Sequence, residues 1–75
     1  MTLAAYHVAC NETATIATRM LNADVPFEHV EAYARGASDA ILTLAVEDTE
    51  ISTDVFLTIT NATQQIIDNI KEYHK

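Results

Sequence analysis

"AYARGASDA", residues 32–40, holds the only glycine of the chain, Gly36, inside a stretch with helical character. If Gly36 marks a turn, residues 26–47 split into the two short helices of a DNA-reading helix-turn-helix. If the helix runs through it, the chain is a bundle of long helices. The phase of the flanking apolar residues separates the two. Phe27, Val30, Ala34, Ala37, Ile41 and Leu44 recur at alternating steps of three and four, on both sides of Gly36 and without a slip. A turn would have no reason to preserve that phase, so a continuous second helix is expected. Gly36 costs such a helix about 1 kcal/mol relative to alanine. With Ala34 and Ala37 it forms a run of small side chains, and close approach of another helix at Ala34, Gly36 and Ala37 is the expectation.

Working outward, "NADVP" (residues 22–26) breaks the chain before this helix. Asn22 and Asp24 favour turns, and Pro26 disfavours helical geometry at Val25. Pro26 is itself tolerated in a first helical turn, and Asp24, Glu28 and Glu31 complement the positive end of the helix dipole. "EDTE" (residues 47–50) ends the helix. A third helix is expected after Ser52 as N-cap, with Asp54 in its first turn, Lys71 in its last, and a stripe of Phe56, Ile59, Thr63, Ile66, Ile70 and Tyr73. The expected architecture is all-α, one domain over residues 1–75: a three-helix antiparallel bundle with helices at about 2–21, 26–47 and 53–73. "ILTLAV" and "VFLTIT", rich in β-branched residues around "EDTEISTD", invite a hairpin reading. Strand alternation is imperfect there, because Ile41 does not follow the two-residue rule that places Leu42 and Leu44 on one face.

Composition narrows the function classes. A chain of 75 residues buries only about 60% of its unfolded surface, so its core is marginal. Although 49% of residues are hydrophobic, no run reaches the roughly 18–20 apolar residues of a membrane span. "MTLAAYHVACNETA" lacks the positive leader of a signal peptide, and a single cysteine fits a reducing compartment, so a cytoplasmic chain is expected. Four Lys and Arg stand against eleven Asp and Glu, a formal net charge of −7. Nucleic acid is a poor partner for that charge, and the reading helix of one helix-turn-helix frame, "SDAILTLAVED", offers no basic residue. The other frame, "NADVPFEHVEAYA", would turn Glu28 and Glu31 toward DNA.

Charge is unevenly placed. Residues 1–23 contain only Glu12 and Arg19, whereas residues 24–48 contain six acids against Arg35. Leu3, Tyr6, Val8, Cys10, Ile16, Ala17, Met20 and Leu21 point in most directions around the first helix, which predicts its burial on more than one side. A homodimer centred on that helix is the expected outcome, with Leu3, Cys10, Ile16 and Met20 at a dimer or partner interface. Asp24, Glu28, Glu31 and Asp39 form a candidate acidic face for a basic protein partner. No catalytic constellation emerges. His7 and Cys10 lack further ligands for a zinc site, there is no glycine-rich phosphate loop, and "EDTE" lacks calcium-loop spacing. No cofactor, metal, membrane or nucleic-acid partner is expected. The chain reads as an adaptor, inhibitor or regulator of another protein, with a DNA-binding regulator as the alternative.

Overall fold

Residues 27–47 form one uninterrupted helix in the computed structural model, which describes residues 2–74. The described residues form three helices: α1 (Leu3–Asn22), α2 (Phe27–Glu47) and α3 (Thr53–His74). Each packs against the other two, and no strand occurs among the described residues. Helices of this length span about 30–33 Å at 1.5 Å per residue, which accounts for the 39 × 17 × 16 Å envelope.

Gly36 has neither a positive φ nor a close neighbour: a Cβ added there meets nothing within 4 Å. The phase argument for a continuous helix therefore holds, while among the described residues no helix of this chain makes the close approach expected at Gly36. Of the three small residues, Ala34 is buried in the core, Ala37 is half-buried and Gly36 faces open space. Gly36→Ala should therefore raise stability by up to about 1 kcal/mol, because the added methyl restricts the unfolded chain and clashes with nothing. Urea denaturation checks this, and a loss of stability would reveal a neighbour that the geometry lacks.

The helix ends follow local chemistry. Thr2 and Ser52 cap α1 and α3, their hydroxyls accepting from the N–H groups of Ala5 and Val55, both at 3.2 Å. Between α1 and α2, Asp24 sits at φ 60°, in the left-handed region that usually selects glycine. There the Val25 N–H donates to the Met20 carbonyl at 3.0 Å and the Asp24 N–H to that of Leu21 at 3.2 Å. Those two bonds are the Schellman pattern, which satisfies carbonyls that the end of a helix leaves open. Pro26 then forms the N-cap of α2, without a side-chain cap.

The core runs along one stripe of each helix: Tyr6, Cys10, Thr13 and Ala17 from α1, Val30, Ala34, Ser38, Ile41 and Ala45 from α2, and Ile59, Thr63, Ile66, Ile67 and Ile70 from α3. The α2 stripe departs from expectation at its far end. Leu44 is exposed and Ala45 is buried, because a straight helix of 3.6 residues per turn drifts out of a strict seven-residue repeat. Tyr73, expected on the α3 stripe, is also exposed. The threonines enter the core without orphaned hydroxyls: Thr13 donates to the Ala9 carbonyl at 2.9 Å and Thr63 to that of Thr60 at 2.8 Å. Ser38 differs. It is 5% exposed, and among the described residues its Oγ has no hydrogen-bond partner. An unpaired buried hydroxyl costs about 1–3 kcal/mol, so Ser38→Ala should raise stability by roughly 1 kcal/mol. A loss measured by the same denaturation would contradict the orphan state.

Candidate functional site

Hydrogen bonds and ring contacts fix the ends of the bundle. At one end, the Tyr6 hydroxyl near the start of α1 donates to Asp48 Oδ2 at 2.8 Å, just past the end of α2. Oδ1 of the same carboxylate accepts from the Glu50 N–H at 3.0 Å and so shapes the turn into α3. These donors stabilise the ionised form: the Glu50 N–H and then the Tyr6 hydroxyl pull the Asp48 carboxyl down to about 2. Burial first, and the bond to Asp48 second, push the Tyr6 phenol above its ordinary value. At the other end, the Tyr73 hydroxyl donates to Asn22 Oδ1 at 3.1 Å, and the Phe27 ring stacks on His74 at 4.0 Å.

The sign of the Asp48 shift sets a pH dependence. A carboxyl whose folded pKa lies below its unfolded value stabilises the fold fully above about pH 4, and loses that contribution as the pH falls toward 2. The stability gap between the unmodified chain and Asp48→Asn should accordingly narrow between about pH 5 and pH 2. A gap that stays constant in denaturation curves over this window would sever Asp48 from the acid response.

The four residues expected at a dimer or partner interface do not share one environment. Cys10 is 6% exposed within the core, where burial raises its thiol pKa, and Met20 packs half-buried against the same core. Both are taken up by the chain's own α2 and α3, because the α1 stripe of Tyr6, Cys10, Thr13 and Ala17 continues to Met20 at helical spacing. Leu3 and Ile16 are exposed. His7 is exposed while Cys10 is buried, so the pair does not converge on a common site.

Opposite the core stripe, α1 presents a different set. Val8, Asn11, Glu12, Thr15, Ile16 and Arg19 line a shallow open groove of about 420 Å³. Val8 is 55% exposed and Ile16 41%, and both stand out from a helix that uses other side chains for its core. In the sequence Val8 belongs only to the apolar excess of α1. Its spacing of eight from Ile16, two turns apart on one face, is the sequence signal that pairs them. Glu12 and Arg19 lie on the same face seven residues apart, and among the described residues neither has an ion pair.

The expected acidic face is only partly continuous. Glu28 and Asp39 are exposed on α2, and Asp24 is exposed in the turn before it. Glu31 is half-buried and bonds Arg35 at 3.4 Å, so a cation interrupts the row between Glu28 and Asp39. Among the described residues, no helix is long and apolar enough to cross a membrane. Comparison with models of known protein families, with curated proteins and with solved structures finds no match to this chain.

Proposed function

We propose that this chain is a small acidic protein-interaction module, a non-enzymatic adaptor, inhibitor or regulator that docks through the outer face of α1 and self-associates there. One observation carries the proposal: Val8 and Ile16 are exposed on a helix without net charge, while residues 24–75 carry the whole formal charge of −7. Apolar side chains grouped on a neutral face favour contact with another protein, whereas the acidic remainder keeps the molecule in solution. An antiparallel order of successive helices belongs to the same proposal. It is supported by the pairing of Tyr6 with Asp48, at the start of α1 and past the end of α2, and of Phe27 with His74, at the start of α2 and the end of α3.

Glu28 and Asp39, exposed on α2, give the module a second surface suited to a basic partner, weakened by the Arg35 between them. DNA binding finds less support. Gly36 lies within α2 rather than at a turn, and the alternative frame presents acids where phosphates would lie. Backbone amide NMR on dilution from about 500 to 5 µM tests the docking face, a range that brackets micromolar association. Concentration-dependent shifts should gather on residues 8–19. Shifts confined to α2 and α3 would place the contact elsewhere and overturn the proposal.

A further inference from the structure

We infer that the occupant of the α1 groove is a second copy of this chain, its α1 lying antiparallel so that Glu12 of each copy meets Arg19 of the other. The inference rests on the self-association proposed for α1 and adds its register. Glu12 and Arg19 are the only charged residues in the first 23, opposite in sign, and both line the groove. Seven residues set them about 10.5 Å apart along the axis and within about 20° of one another around it. That separation keeps them from pairing within the helix. A two-fold axis at their midpoint, between Thr15 and Ile16, carries each onto the position facing its opposite charge.

The same operation makes the contact isologous, one patch meeting itself, as closed dimers require. It sets the two Ile16 side chains beside the axis, where the apolar exposure is needed, with a charge pair about 5 Å along the helix on either side. A parallel pairing would instead oppose Glu12 to Glu12 and Arg19 to Arg19. Two molecules of net charge −7 repel at long range, so the neutral α1 face is where they approach at least cost. A single pair of 20-residue helices falls short of the roughly 800 Å² per partner of a standard interface. Association in the micromolar range is the corresponding expectation.

Charge reversal at exposed positions tests the register by sedimentation equilibrium on the full chain. Glu12→Arg changes the net charge from −7 to −5, so long-range repulsion alone would tighten the dimer. The proposed register predicts the opposite, a dissociation constant about tenfold weaker, because both contacts become Arg against Arg. Arg19→Glu should weaken the dimer likewise, and mixing the two variants should restore association to near that of the unmodified chain. Circular dichroism of each variant shows that it remains folded. If the unmodified chain dimerises but Glu12→Arg and Arg19→Glu dimerise equally well, or their mixture fails to recover, the register is wrong while α1 docking stands. If the unmodified chain is a monomer at about 500 µM, the second copy is excluded as well.

Discussion

Ile59→Ala should lower the free energy of unfolding by about 2–5 kcal/mol, the range for removing a large aliphatic side chain from a core that cannot collapse around the space. Ile59 is 2% exposed and sits on the α3 stripe with Thr63, Ile66, Ile67 and Ile70, facing the stripes of both other helices. It shares one buried cluster with Val30, Ala34 and Ala45 of α2, whose side chains are short, and with Tyr6, which is held by its bond to Asp48. At about 0.05–0.15 kcal/mol per residue, a domain of this length has only some 4–11 kcal/mol in total. The substitution therefore removes a large share and should leave a visible unfolded population at physiological temperature. Ile59→Val, which deletes one methylene, should cost about 0.5–1.5 kcal/mol. Urea denaturation with an unchanged m-value distinguishes the two, and an alanine variant as stable as the unmodified chain would place Ile59 outside the core.

Ile16→Asp should separate folding from association. Ile16 is exposed in the single chain, so its carboxylate would stay in water, and the stability of the fold should change by about 0.5 kcal/mol or less. Beside the two-fold axis of a dimer the same carboxylate would be desolvated next to its copy. An unpaired buried charge costs several kcal/mol, enough to weaken association by more than about 100-fold. The expected variant is a monomer with the circular dichroism and denaturation midpoint of a folded chain. A variant that unfolds would assign Ile16 to the internal core, and one that associates normally would remove it from the interface.

Much of the architecture is legible in the sequence because it depends on local rules. The break at "NADVP", the Ser52 cap and the continuity of α2 through Gly36 follow from turn chemistry, capping and apolar phase. Three features needed more. Asp24 adopts a left-handed conformation although it is not glycine, since Asp tolerates that region and the Schellman bonds around it fix the backbone. Leu44 leaves the core because a seven-residue template accumulates error along a 21-residue helix, moving the inward position to Ala45. Because α1 is apolar on most sides, its sequence does not distinguish Cys10 and Met20 from Leu3 and Ile16. Only the positions of α2 and α3 divide that set into a stripe the chain buries itself and a face it leaves open. The outer groove was correspondingly hard to read: Val8, Glu12 and Arg19 gain meaning together only after the inner stripe is assigned.

Sedimentation equilibrium of the unmodified chain is the most direct test of the central claim that the exposed α1 face associates with its own copy. From about 5 to 500 µM, a range chosen for a micromolar constant, the average mass should climb from near the chain mass of 8.3 kDa toward twice that value. A mass of 8.3 kDa throughout this range, in a sample whose dispersed amide spectrum shows a folded chain, would contradict self-association through α1.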